Sequence, residues 1–520
     1  MKNTLSNSDV VNALDPWAPN SSPPRLSKSR IQSGRQCHKR LWLELHQSDA
    51  SSWTAAAQVR LDEGTQFGEL AQELLGGGVL IAANHFQVNE ALAQTAELLQ
   101  LPYSQAPMLF EAAFSHEGVR VRVDGFQRHA DHDTLIEVKS TTAVKAEHIW
   151  DCAIQTWVAR GSGRNVSIVM LGHIDNQFVY QTLRNYQGLL KLVDITLEVE
   201  ALLPRIAGIV AEMQQVALGP VPEITTGAHC FKPYGCPFYA HCRAAEPEVA
   251  SAEFPIELLP RIGASLLERL RLAGYSDLRD VPDTALERAM HLRVSLATRT
   301  GTAFVADQLG EELDAIAYPR HYLDFETIRF VVPRWFGTRP FQQLPFQFSC
   351  HIQTPDGALR HEAFLDLSGE SPMLKFVEHL LTVIGVSGPV LVWNIAFEAT
   401  RLRELARMFP QHAQALHSIV KRMVDLLPIY RAHYYHRDMR GSWSIKAVLP
   451  TIAPELAYDN LTVSGGDEVQ TVYRQAISVE TSDNERAVLR QNLLDYCERD
   501  TLAMVRLGNW RGWLEKYYQA

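Results

Sequence analysis

Residues 119–139, VRVRVDGFQRHADHDTLIEVK, constrain this chain more than any other stretch. Two runs of alternating residues flank a polar turn, the pattern of a β-hairpin with unlike faces. In the first run Val119, Val121 and Val123 share one face, and Arg120, Arg122 and Asp124 share the other. In the second, Leu135, Glu137 and Lys139 fall together, opposite Ile136 and Val138. Asp124, Glu137 and Lys139 are thus offered by two adjacent strands. Two carboxylates repel unless a cation lies between them. Hard oxygen ligands select Mg2+ or Mn2+, and a nearby lysine can orient a water or stabilise developing negative charge. An amphipathic hairpin with a solvated charged face has the same alternation, so the rest of the chain must decide.

At 520 residues the chain is long enough for two to four domains. Its formal charge of −10 argues against a surface coated in basic residues. It leaves nucleic acid open, because metal-dependent nuclease sites are themselves acidic. No apolar run reaches membrane-spanning length, and the first 25 residues lack the apolar core of a signal peptide, so a cytoplasmic protein without membrane contact is expected. Seven cysteines in so long a chain do not suggest a disulfide scaffold. No G-x-x-x-x-G-K-[ST] occurs, so no ATP motor is expected in this chain.

In order, residues 1–25 read as a flexible tail rich in Ser, Asn and Pro, and 26–250 as a first domain. A basic amphipathic segment, 26–46, opens a helix at Ser27 or Ser29 and carries Cys37. Helical and strand-like stretches then alternate, the signature of an α/β domain. Beyond the hairpin, Lys145–Ala159 reads as a helix with Asp151 and Gln155 on one face, and VSIVMLGHI and FVYQTL read as strands. The segment HCFKPYGCPFYAHC follows, with Cys230, Cys236 and Cys242. Thiolates spaced among Pro and Gly in a reduced compartment suit metal, and Cys37 is the natural fourth partner. Ligand chemistry alone leaves zinc and an iron–sulfur cluster both open.

Residues 251–300 read as a compact helical unit in which Leu-Pro-x-Ile-Gly resembles a degenerate helix–hairpin–helix; 301–317 reads as a linker. The last 200 residues hold a second set of acids. HYLDFETIRF puts Asp324 and Glu326 on one strand face. Glu398 lies near the start of a helix, VDLLPIY adds Asp425, and Tyr496 and Asp500 stand i, i+4 on a helix. Acids on a strand and on helices, with a tyrosine, are the parts of a two-metal phosphodiesterase site.

Residues 26–245 resemble the RecB-type branch of the PD-(D/E)XK nucleases, through Asp124, the Glu137-Val-Lys139 triplet and Gln155 in Q-T-W. The resemblance implies a restriction-endonuclease-like α/β core in which Asp124 and Glu137 hold Mg2+ or Mn2+ with Lys139 and Gln155 beside them. It also implies a 4Fe–4S cluster on Cys37, Cys230, Cys236 and Cys242, and a further ligand drawn from Glu111 or Glu69. Residues 318–520 resemble the tyrosine form of the DEDD exonucleases, through Asp324, Glu326, Glu398, Tyr496 and Asp500. That likeness implies a ribonuclease H-like α/β domain with two ions on the four acids. The two-part order is similar to a bacterial family that fuses the two. The resemblances imply a nuclease acting on nucleic acid, DNA before RNA, in repair or defence, with a helicase or repair partner. A catalytically silent scaffold for a helicase and an RNA 3′-exonuclease acting through the second domain are the competing expectations.

Overall fold

A computed structural model describes residues 26–53, 55–84, 86–246, 252–463 and 465–509. The tail expected at 1–25 lies outside the described residues. The chain forms two compact units, Met1–Phe178 with Arg184–Pro247, and Val179–Leu183 with Glu248–Ala520. Both are α/β. Among the described residues no helix is long and apolar enough to cross a membrane.

The first unit is built on a mixed sheet of seven strands: β1 (Leu26–Ser27), β2 (Val79–Leu80), β3 (Met108–His116), β4 (Val119–Arg128), β5 (Asp133–Lys139), β6 (Val166–Ile174) and β7 (Leu190–Asp194). Their order is β2-β3-β4-β5-β6-β7, with β1 parallel to β4. β3 and β4 join through Glu117 and Gly118, both at positive φ, the two-residue turn whose twist matches a hairpin. Val119, Val121 and Val123 are buried, as the alternation predicts. β5 runs parallel to β6, and the helix Ala146–Gly161 makes the crossover. That helix buries Cys152, Ala153, Ile154 and Val158 in the core with Leu135 and Phe126. Gln155 is equally buried on the same helix.

The second unit holds a five-stranded sheet ordered β11-β10-β9-β12-β13, comprising β9 (Arg320–Ile328), β10 (Leu344–Gln353), β11 (Leu359–Leu365), β12 (Val390–Val392) and β13 (Met423–Asp425). β9, β10 and β11 are antiparallel; β12 is parallel to β9 and β13 to β12. β8 (Phe304–Val305) pairs apart from it with β14 (Tyr434–Tyr435). The helix Asp483–Gly508, capped by Ser482, lies along β9 and β10, where Gln347 Nε2 donates to Leu493 O at 2.7 Å. Residues 254–297 share one apolar core with this sheet, through Phe254, Ile256, Leu259 and Leu270.

FVYQTL forms no strand. Its alternation suits a ladder, but Val179–Leu183 belong to the second unit, where Tyr180 N donates to Thr338 O and Gly337 N to Tyr180 O. The strand that follows β6 in the sheet is Leu190–Asp194 instead.

Candidate active sites and a cysteine pocket

The first site grows from the end of the β4–β5 ladder. Backbone pairing is registered as far as Gly125 with Ile136. One step on, the Asp124 carboxylate takes over, its Oδ2 accepting from Val138 N at 2.7 Å. Glu137 sits beside it, 1% exposed. Its Oε1 accepts from Lys139 Nζ and from Lys28 Nζ, each at 2.6 Å, and its Oε2 from Gln155 Nε2 at 2.6 Å. Lys139 also pairs with Asp151 at 2.9 Å, and Gln32 Nε2 donates to Asp151 Oδ1 at 2.9 Å. The structure therefore brings together Asp124, Glu137, Lys139 and Gln155. It adds Lys28 from the first turn of the helix Lys28–Gln36, which no local pattern marks. Glu111 pairs with Arg122 at 3.0 Å, and Glu69 is exposed.

Electrostatics divide the two carboxyls. Burial, and next the Glu137 charge, push Asp124 up to about 7. Glu137 is the more buried of the two, yet the Lys139 and Lys28 ammonium groups outweigh desolvation and hold it well below the carboxylate range. Burial opposes the charge on Lys139, but Glu137, Asp151 and Asp124 prevail and raise it well above its ordinary value. Gln155 Oε1 is buried without a hydrogen-bond partner among the described residues. A proton-poor Glu137, a strained Asp124 and an orphaned amide oxygen together suit a divalent cation.

The second site lies along the middle of β9 and beyond the end of β12. Asp324 and Glu326 project from one face of β9, and Leu323 and Phe325 are buried on the other. Asn394, at φ 83, follows β12 and starts the helix Ile395–Met408, which carries Glu398 into the interior at 2% exposure. Asp425, read from sequence as one more acid, pins this turn: it accepts from Asn394 N, Ile395 N and Leu427 N, all at 3.0 Å. Tyr496 and Asp500 face the acids from the helix Asp483–Gly508. Lys446 Nζ donates to Tyr496 Oη at 2.8 Å, and Tyr458 Oη donates to Asp500 Oδ1. Cys497 Sγ joins Asp324 and Glu326 in a group whose ligand atoms lie within 4.8 Å of one another.

Asp324, Glu326, Glu398 and Asp500 are each pushed toward the neutral form. Burial, then Asp500, Glu326 and Glu398, raise Asp324 well above the usual range; burial and Asp500 do the same for Glu326. Burial lifts Glu398 to about 8, with Asp425 adding to it, and Asp500 to about 6 against the pull of Tyr458 and Lys446. Glu398 Oε2 is buried without a partner among the described residues. Four crowded carboxyls and an orphaned oxygen fit divalent cations, which would remove the repulsion directly. Sequence reasoning missed Lys446 and Tyr458, which carry no spacing signal relative to the acids, and Cys497, which stands three residues before Asp500 but reads as one apolar member of its helix.

Cys37, Cys230, Cys236 and Cys242 line one pocket, although Cys37 lies 193 residues before Cys230. Cys37 is extended, at φ −163, at the junction of the helices Lys28–Gln36 and His38–His46. Cys236 N donates to Cys230 O at 2.7 Å, folding the loop back on itself. Burial raises the Cys236 and Cys242 thiols, and the neighbouring sulfurs add to it. A soft thiophilic metal or cluster would discharge that repulsion. Cys152, Cys350 and Cys497 are fully buried elsewhere.

The fold and sites define an α/β protein with two buried carboxylate clusters and a four-cysteine pocket. A family model described as "Domain of unknown function (DUF2779)" matches residues 321–444, which include Asp324, Glu326 and Glu398. The chain is 25% identical over 205 residues to "Uncharacterized protein MG366 homolog" of Mycoplasma pneumoniae; the match covers 36% of this chain and 31% of that relative. It is 25% identical over the same length to "Uncharacterized protein UU173" of Ureaplasma parvum, covering 35% and 30%. The match thus spans less than a third of each relative. The solved structure described as "Crystal structure of SSO0001" aligns with 46% of this chain and 92% of that one, at 12% identity and a TM-score of 0.20.

Proposed function

We propose that this chain is a metal-dependent nuclease that hydrolyses phosphodiester bonds through two sites, on DNA in preference to RNA, in the cytoplasm. The observation that carries the proposal is the convergence of Asp324, Glu326, Glu398 and Asp500 with Tyr496 in one group, in which Glu398, Asp500 and Tyr496 are buried and Asp324 and Glu326 half-buried. So many carboxyls are seldom buried together unless a cation repays the cost. Mg2+ or Mn2+, when bound, supplies the Lewis acidity for phosphodiester hydrolysis. The residues themselves orient the reactants. Tyr496, held by Lys446, aims its hydroxyl at the attacking water in the second site, and Lys139 stabilises the charge developing on phosphate in the first. The mixed sheet with acids on its central strand supports the ribonuclease H-like resemblance.

Beside Lys446 lies a pocket of about 510 Å3 lined by Trp393, Trp443, Arg261 and Arg431. Trp443 belongs to the core, so the half-buried Trp393 is the aromatic face among these cations that suits stacking by a single nucleotide strand. The four cysteines tie residue 37 to 230–242 as a structural 4Fe–4S or zinc site. One observation favours a second reading for the first unit: two ammonium groups already satisfy Glu137, as in a site that binds strands without cutting them.

The test compares wild type, Lys139→Ala and Asp324→Ala on end-labelled single- and double-stranded DNA and RNA with Mn2+. Each substitution should remove one set of products. Product patterns unchanged by both would refute the two-nuclease reading. Brown absorbance near roughly 400 nm after anaerobic preparation, lost in Cys236→Ser, marks the iron–sulfur option against zinc.

A further inference from the structure

We infer that His351, His361 and Glu498 form a separate site for a divalent transition metal of the zinc class, on the β10–β11 hairpin. Each offers one ligand atom, and the three atoms lie within 4.8 Å of one another. None of them takes part in the carboxylate cluster, and the inference does not depend on nuclease activity.

The two histidines are cross-strand partners, and their ring centroids are 4.5 Å apart. With metal–nitrogen bonds of about 2.1 Å and a ring radius of about 1.1 Å, two imidazoles on one ion have centroids about 4.5 Å apart at a right angle and about 5.2 Å apart at a tetrahedral one. The observed spacing fits the right angle, and a tetrahedral ion would spread the rings, whose planes lie 29° apart, by about 0.7 Å. His361 Nδ1 lies 3.8 Å from Glu498 Oε1. That is too long for a hydrogen bond and within the reach of two ligand bonds of about 2.0–2.2 Å each.

A hydroxyl network then decides which nitrogens keep lone pairs. Thr501 Oγ1 donates its one proton to Glu498 O at 3.0 Å. It lies 2.7 Å from Ser349 Oγ and 2.8 Å from His351 Nδ1, and with its proton spent it accepts from both. Ser349 Oγ, having donated to Thr501, accepts from His361 Nε2 at 2.9 Å. Each hydroxyl proton is used once, so His351 carries its hydrogen on Nδ1 and His361 on Nε2. The lone pairs of His351 Nε2 and His361 Nδ1 are left for a metal, and Ser349 and Thr501 act as the outer partners that orient ligating histidines.

Two imidazoles and one carboxylate favour Zn2+, Ni2+ or Fe2+ over Mg2+. The ion would clamp the β10–β11 hairpin to the helix Asp483–Gly508. Glu498 stands two residues from both Tyr496 and Asp500, so occupancy also braces the segment that presents them.

The test strips the full chain of metal, adds Zn2+, and measures bound zinc by elemental analysis and affinity by competition with a chelating dye. Glu498→Ala and His361→Ala are compared with wild type. The expected result is about one equivalent fewer at matched free Zn2+ in each variant, with affinity at that step weakened at least tenfold. Glu498 is 45% exposed, so its replacement tests ligation without disturbing the core. A Glu498→Ala protein with wild-type zinc content and affinity overturns the proposal, whatever His361→Ala does.

Discussion

Lys28 and Glu137, 109 residues apart, form an ion pair of 2.6 Å in which the carboxylate is almost wholly buried. Lys139 reaches the same oxygen at the same distance. One carboxylate oxygen thus faces two ammonium groups, an arrangement that persists because Asp124 and Asp151 lie close by. The second lysine stands in for the positive charge that a divalent cation would bring.

Lys28→Met should therefore destabilise the cation-free protein by about 1–3 kcal/mol, less than the full penalty for an orphaned buried charge, because Lys139 remains. Mn2+ should narrow the gap by restoring positive charge beside Asp124 and Glu137. Thermal melts of both proteins, with chelator and with Mn2+, check this. A gap of equal size under both conditions would show that Lys28 acts independently of the cation position.

Gly441 supports a second expectation. Its φ is +78°, and a Cβ there would lie 2.0 Å from Leu258 O and 2.9 Å from Leu258 C. Both the left-handed conformation and the backbone contact resist a side chain. Gly441→Ala should cost more than about 2 kcal/mol and lower the melting temperature of the second unit. Gly465, with no atom close to its added Cβ, is the control: Gly465→Ala loses only a preferred residue at the start of the helix Gly466–Ala476 and should lower the melt far less than Gly441→Ala.

How much of this was legible in the sequence follows from how far each signal reaches. Asp124, Glu137 and Lys139 could be placed on one face because strand alternation is a local rule and their valine neighbours obey it. Asp324 and Glu326 were placed by the same rule, and Gln155 by the helical repeat it shares with Asp151. Lys28 could not be found, since nothing local ties it to a glutamate in another element. β10 was missed for a different reason. All ten of its residues are buried, and Gln347, Ser349, His351 and Gln353 interrupt its apolar run, packing against the helix Asp483–Gly508 rather than facing solvent. Asp425 looked like another member of the acid set, but its spacing could not reveal that three backbone amides occupy it.

Glu398 carries the remaining prediction, and its sign follows from proton linkage. The folded-state value is raised from the ordinary 4.5 to about 8. Between those limits the native protein binds more protons at this residue than the unfolded chain does, so stability falls as pH rises, by at most about 1.4 kcal/mol per pH unit for this group. The contribution is fully present below about 4.5 and is lost through about 8. Asp324, Glu326 and Asp500 shift in the same direction, which steepens the slope. In chelator, the melting temperature should decline from pH 5 to pH 8; in Glu398→Gln, which has no proton to release, the decline should be shallower. Saturating Mn2+ should flatten the wild-type profile, because a bound cation replaces the protons that relieve the repulsion. A metal-free wild type whose stability rises across that range would contradict the raised carboxyls of this site.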